Sequence, residues 1–285
     1  MKNNLLGGLL LAGLLAVPMA AQMPEGYLDV NITHVKFGKR ADFDANIKKM
    51  VEINRKNKGD TWLAYELAYG DSNAVYFTST RDSFAAAEEA GKAFEGALTK
   101  ALGAPGMRKL FDDTDAASES ERQELRRRRW DLTASAPADT AAYSKLVGQS
   151  RWIRVAIVRV RPGRVLDYEA ELKRNKAAQE RANPGIPSFV SQGVAGQANG
   201  IFYISTLLKS LGDLDKIKPL QEVLGSNFAN YQKAVAEMVL GTDIIVGRFL
   251  PELSNPPDEV VAADAKFWRP KPPAPAAPKP DAKKQ

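Results

Sequence analysis

Val35-Lys36-Phe37-Gly38-Lys39-Arg40-Ala41-Asp42-Phe43-Asp44-Ala45-Asn46-Ile47-Lys48 reads again, 125 residues later, as Val160-Arg161-Pro162-Gly163-Arg164-Val165-Leu166-Asp167-Tyr168-Glu169-Ala170-Glu171-Leu172-Lys173. Val, Gly, Asp, Ala and Lys recur, while Phe/Tyr, Asp/Glu, Ile/Leu and Lys/Arg exchange in kind. A second block, Gly70-Asp71-Ser72-Asn73-Ala74-Val75-Tyr76-Phe77-Thr78-Ser79-Thr80, returns at an offset of 126 as Gly196-Gln197-Ala198-Asn199-Gly200-Ile201-Phe202-Tyr203-Ile204-Ser205-Thr206. A third, weaker match sets Arg129-Trp130 against Arg248-Phe249 and Ser135 against Ser254. Three blocks in one order mark a duplicated unit, and such a repeat organises a chain before any single residue does.

Each copy divides into the same elements. Alternating, β-branched runs over 27–37 and 151–160 predict first strands. Gly38 and Pro162-Gly163 are turns, and Asp42 and Asp167 stand where a helix start favours an acid. Phe43, Ile47, Met50 and Val51, and in the second copy Tyr168 and Leu172, then recur at helical spacing. Second and third strands follow as hairpins, over 62–69 and 75–80, and over 188–195 and 201–206. Helical stretches over 83–99 and 214–240 and last strands over 127–133 and 242–250 complete each copy. The order β-α-β-β-α-β is the ferredoxin-like unit. Residues 22–140 are expected to form the first unit and 141–258 the second, two bare sheet faces burying each other at about 25 cal/mol per Å² of apolar area.

This duplicated α+β pattern, over about residues 27–254, resembles the dimeric α+β barrel superfamily, which includes antibiotic-biosynthesis-type monooxygenases and NIPSNAP-like proteins. The resemblance rests on element order and duplication. It implies that the two halves close into one pseudo-dimeric barrel whose interior can hold a small hydrophobic ligand. It also implies, as an alternative to a binding role, a cofactor-independent monooxygenase-like enzyme acting on a small organic molecule. Members of that superfamily that hold haem do so through a histidine on a helix; the sole histidine here falls on a strand.

The chain's two ends are of another composition. Lys2, the apolar run Leu5 to Val17, Pro18 and the small residues around Ala20-Ala21 have the three parts of a secretory signal peptide. Residues 1–21 are therefore expected to be removed after Ala21, leaving an exported, periplasmic or extracellular protein with no membrane span. There is no cysteine, so disulfides, thiolate nucleophiles and cysteine metal sites are excluded and the fold must rest on packing. The formal charge of +6 is concentrated at the C-terminus, where Arg269, Lys271, Lys279, Lys283 and Lys284 face only Asp281. The body is near neutral, which excludes the basic face that nucleic acid requires. Residues 259–285, ending in Pro/Ala/Lys repeats, read as a disordered tail able to touch anionic envelope material weakly.

His34, the only imidazole, and Arg159, its counterpart in the repeat, are candidate binding residues. Asn31, Trp62, Tyr65 and Tyr76 in the first copy, with Phe189 and Tyr203 in the second, offer flat apolar faces with polar tips. Packing of the core explains these aromatics equally well. Arg126-Arg127-Arg128-Arg129 reads as a solvated run opposite Glu119, Glu121 and Glu124, or as an anion site. Glycine-rich phosphate loops, Gly-x-Ser-x-Gly and His-Glu-x-x-His are absent, and no cofactor or metal is called for.

Overall fold

The computed structural model describes Met23 and residues 25–270; the segment expected to be a signal peptide and the Pro/Ala/Lys repeats lie outside the described residues. Strands β1 (Tyr27–Val35), β2 (Leu63–Tyr69), β3 (Ala74–Arg81) and β4 (Ser118–Arg128) come from the first half. Strands β5 (Trp152–Val160), β6 (Phe189–Ala195), β7 (Ile201–Leu208) and β8 (Val239–Phe249) come from the second. Together they close into one antiparallel barrel in the order β1-β3-β2-β8-β5-β7-β6-β4. The halves meet edge to edge at β2–β8 and β4–β6, so the barrel leaves no free sheet edge.

Outside the barrel, α1 (Arg40–Asn57) and α2 (Phe84–Ala117) cover the first half. Helices α4 (Val165–Ala182), α5 (Leu220–Leu224) and α6 (Phe228–Met238) cover the second. Between the halves runs α3 (Thr140–Gln149), and α7 (Asp258–Ala263) and α8 (Ala265–Trp268) follow β8. The core has three parts. Val30, Ile32, Tyr65, Val155, Tyr203 and Phe249 pack inside the barrel. Phe43, Ile47, Val75 and Leu98 pack between the first sheet and its helices, and Val158, Tyr168, Phe202 and Met238 between the second sheet and its own.

A two-fold relation runs through the hydrogen bonds that tie each half to the other. After β4 the chain crosses to β6: Arg129 N donates to Val190 O at 2.8 Å and Thr133 Oγ1 accepts from Val190 N at 3.0 Å. After β8 it crosses to β2: Leu250 N donates to Ala64 O at 2.8 Å and Ser254 Oγ accepts from Ala64 N at 2.8 Å. Each side-chain oxygen takes up a buried amide that would otherwise lack a partner.

Strand pairing corrects the sequence alignment in two places. Tyr27 pairs with Arg127 and Trp152 with Arg248, so Arg248 corresponds to Arg127 and not Arg129, and Ser254 corresponds to Thr133 and not Ser135. Asn31 pairs with Phe77 and Ala156 with Ile204, so the second hairpin turn carries one extra residue and Tyr203 corresponds to Tyr76. A slip of one residue exchanges the two faces of a strand.

Element boundaries differ as well. The last strand of the first half starts at Ser118, because β4 must run the length of β1 to close the barrel, and pairing overrides its low strand propensity. Helix α2 continues to Ala117 through a break at Gly103 (φ 70°), two residues before Pro105. The helical stretch expected over 214–240 is broken into 3₁₀ turns, α5 and α6. The tail begins later than residue 259. Val260, Val261 and Trp268 are buried in the inner core, and Trp268 donates its indole N–H to Gly148 O at 2.8 Å. With α3 they plug the barrel end where β4 and β8 finish; the other end, at the close of β1 and β5, has no such helical plug among the described residues and is open in that sense.

Candidate functional site

The barrel interior is filled, contrary to the expectation that it holds a ligand. Tyr65 stacks on Tyr76 at 4.8 Å, and Arg126 lies 3.5 Å from the centre of the Tyr203 ring. Arg126 also donates through Nε to Glu124 Oε2 at 2.8 Å, and Tyr203 OH lies 2.8 Å from the same oxygen. Tyr203 OH also contacts Gln197 Oε1. Burial raises the phenol pKa values of Tyr65, Tyr76 and Tyr203, so all three stay neutral hydrogen-bonding groups. The arginine run is therefore not a solvated face. Glu124, Arg126 and Arg128 point inward and are buried, while Arg127 alternates outward and is exposed. Open space inside includes two small cavities at the plugged end, one of about 90 Å³ beside Tyr143, Phe189 and Arg128 and one of about 140 Å³ beside Leu28, Leu63 and Val147.

The ligand-sized cavity lies outside the barrel, between the first sheet and α1 and α2, with a volume of about 520 Å³. Its roof is apolar: Phe43, Ile47 and Met50 on α1, Phe94 and Phe111 on α2. Its floor is the outward face of β1, β3 and β4, carrying Asp29, Asn31, Thr33, Ser79, Arg81 and Gln123. The floor is tied by hydrogen bonds. Thr33 Oγ1 donates to Asn31 Oδ1 at 2.9 Å, Asn31 Nδ2 donates to Glu121, and Gln123 Nε2 donates to Asp29 Oδ1 at 3.0 Å. Buried Arg81 holds Asp60 with two bonds, of 3.0 and 2.5 Å, and stands 3.6 Å from Asp29. Burial raises the Asp60 carboxyl above its ordinary range, against the opposing pull of Arg81. Asp29, Asp60, Asp115 and Glu121 face a single guanidinium, that of Arg81, so the lining favours a ligand that donates hydrogen bonds or carries positive charge.

The second half has no counterpart on its sheet. Ala156, Val158, Ile204 and Leu208 stand where β1 and β3 carry Asn31, Thr33, Phe77 and Arg81. Val158 and Ile204 pack with Phe202, Tyr168 and Met238. A separate polar hollow of about 540 Å³ lies higher, between α4 and α5–α6, lined by Glu171, Arg174, Asn175, Arg181, Asn230 and Tyr231, and it touches no strand.

The sequence-derived candidates thus part company. Asn31 and Trp62 line the outer cavity, where Trp62 packs edge-on against Phe94 and donates its N–H to Leu253 O at 2.8 Å. Tyr65, Tyr76 and Tyr203 are barrel core. Phe189 belongs to an aromatic trio with Trp130 and Tyr143 at the plugged end. His34 and Arg159 lie at the open end and line neither large cavity. Asp29, Arg81 and Gln123 on the strands and Asp60 in the loop before β2 were missed, since neither a mixed polar strand face nor a lone loop carboxylate carries a motif. Among the described residues no cluster of His, Asp or Glu could hold a metal ion, and no helix is long and apolar enough to cross a membrane.

Among solved structures, a candidate monooxygenase of Fusobacterium nucleatum superposes with a TM-score of 0.52 at 10% identity, over 79% of this chain and 93% of that one. The two share a fold. An anthrone oxidase-like protein gives 0.49 at 14% identity, over 79% and 91% of the two chains. Chlorite dismutase of Candidatus Nitrospira defluvii gives 0.45 at 13%, over 86% and 95%. No protein-family profile and no curated protein matches the chain. The eight-stranded closed antiparallel barrel is thus the fold this chain shares with the Fusobacterium protein.

Proposed function

We propose that this is an exported protein, a fused pair of ferredoxin-like units, that binds a small, flat, mostly apolar molecule between its first sheet and α1 and α2. The molecule would present hydrogen-bond donors or positive charge to the sheet. One observation carries this reading: the cavity of about 520 Å³ has an aromatic roof and a carboxylate-rich floor. Ligand would bury apolar surface against Phe94 and Phe111 and exchange water for the fixed acceptors of Asp29 and Glu121. The Pro/Ala/Lys tail adds a weak contact with anionic envelope material.

Mass spectrometry of small molecules extracted from protein purified out of the native envelope tests this directly. Trp62 lines the cavity, so its fluorescence should change when the extracted molecule is added back. Gly91 on α2 also lines the cavity and has open space beside it. Gly91→Phe should therefore close the cavity and abolish the fluorescence response while the fold survives. An unchanged response in Gly91→Phe would refute this site.

The second reading is a cofactor-independent oxygenase acting on the bound molecule. The raised carboxyl of Asp60 favours it, as a base held inside the same cavity. Consumption of dissolved oxygen by protein plus the extracted molecule, lost in Asp60→Asn, would distinguish it from binding alone.

A further inference from the structure

We propose that Ser120, His34 and Asp71 form an acyl-transfer centre at the open end of the barrel, acting on small carboxylic esters that reach it from solvent. The chain's only imidazole lies between the other two groups. Its Nδ1 is 3.1 Å from Ser120 Oγ and its Nε2 is 3.0 Å from Asp71 Oδ2. A nucleophile within reach of a base, and the base oriented by a third group, is the arrangement that activates a serine.

The fold holds each member in place. His34 and Ser120 face each other as a register pair of β1 and β4. Asp71 sits in the β2–β3 turn, where its Oδ1 accepts from Asn73 N at 3.2 Å and its carbonyl from Ala74 N at 3.1 Å. One carboxylate oxygen thus fixes the turn and leaves the other for the imidazole. With Nε2–H donated to Asp71, the lone pair of Nδ1 faces the serine hydroxyl.

The second half supplies an internal control. Strand pairing places Arg159 where His34 stands and Gly241 where Ser120 stands, and the equivalent turn carries Gln197. Barrel closure at that end succeeds without any of the three groups, so the fold does not require them.

The chemistry balances without a cofactor. Ser120 Oγ attacks the ester carbonyl carbon and passes its proton to Nδ1, and Asp71 stabilises the imidazolium. The alcohol leaves, taking that proton. Water then attacks the acyl-serine, again through Nδ1, releasing the carboxylic acid and restoring the hydroxyl. Ester and water give acid and alcohol. The site is shallow, with His34 34% and Asp71 56% exposed, and exposed Phe37 and Tyr69 follow and precede it closely in the chain. That setting suits short acyl or aryl esters.

A fluorophosphonate probe, followed by intact-mass and peptide mapping, tests the assignment on the full chain. One adduct is expected, on Ser120, absent in Ser120→Ala. His34→Gln should slow its formation by about 100-fold or more, the range of general-base assistance. Circular dichroism checks that both variants fold. If either does not, the unmodified protein still decides: the labelling rate must rise with pH along the titration of its single imidazole resonance. No adduct on Ser120, or a labelling rate indifferent to both His34→Gln and the imidazole titration, would overturn the proposal.

Discussion

On the outward face of the first sheet stand Asp29, Asn31, Thr33, Ser79 and Arg81; the matching positions of the second sheet hold Arg154, Ala156, Val158, Thr206 and Leu208. The inward faces diverge in the same sense. β4 sends Glu124, Arg126 and Arg128 into the barrel, where β8 sends Ile245, Gly247 and Phe249. One backbone plan, with matching pairing and crossing arms, therefore carries two fillings. The second sheet is packed against its helices. The first half keeps a cavity and concentrates polar groups on both faces of its sheet. Strand geometry fixes where side chains point but not their chemistry, so one half can depart from packing while the other secures the fold.

The contrast can be broken experimentally, beginning with the packed half. Phe202 is fully buried against Tyr168, and Phe202→Ala should cost about 3–5 kcal/mol. Phe94→Ala, at the edge of an existing cavity, should cost well under half of that by urea denaturation. Equal costs would mean that the two halves are packed alike.

Inside the barrel, Arg126→Ala should cost about 3 kcal/mol by leaving Glu124 without its main buried partner. That figure is at the low end because Arg122 stays 2.6 Å from the other carboxylate oxygen. Glu124→Leu with Arg126→Met, which makes β4 resemble β8, should return stability to within about 1 kcal/mol of the parent. A double variant as unstable as the single would show that the polar network is required for the fold.

Arg129 joins the halves by binding Asp131 and Glu169, with bonds of 2.9 and 2.6 Å to their first carboxylate oxygens. Hydrogen bonding to Arg129 lowers both carboxyl pKa values. Their folded values lie below the unfolded ones. The stability they add is present above the ordinary carboxylate range and is lost as pH falls through the lowered values. Arg129→Met should remove about 2 kcal/mol at neutral pH and flatten the acid limb of the stability profile. An acid limb unchanged in this variant would place the dependence elsewhere.

The smallest effect is expected on the exposed face of α2. Lys92 and Glu88 form a solvent-facing pair, and Lys92→Ala should change stability by less than about 0.5 kcal/mol.

Much of the architecture was legible. Gly38 and Gly163, both at positive φ, mark the turns after β1 and β5, and Phe43 and Ile47 recur at the period of a helix that buries them. Less of the site was legible. Asn31 and Trp62 line the cavity, but Asp29 and Arg81 carry no local signal, because they become neighbours only when β1 and β3 pair. The arginine run misled for a related reason. Four adjacent charges read as solvated unless a strand alternates them, and Ser118 to Arg128 becomes a strand only through its partners β1 and β6.

The sequence by itself determined the element order, with each half running strand, helix, hairpin, helix, strand. Those features rest on interactions between residues near in the chain, where periodicity and turn chemistry act. Only tertiary structure decided that the barrel interior is largely filled, that the cavity of about 520 Å³ lies under α1 and α2, and that His34 meets Ser120 and Asp71. Whether a cavity remains depends on the summed fit of side chains from strands and helices far apart in the chain, and no local pattern encodes that sum.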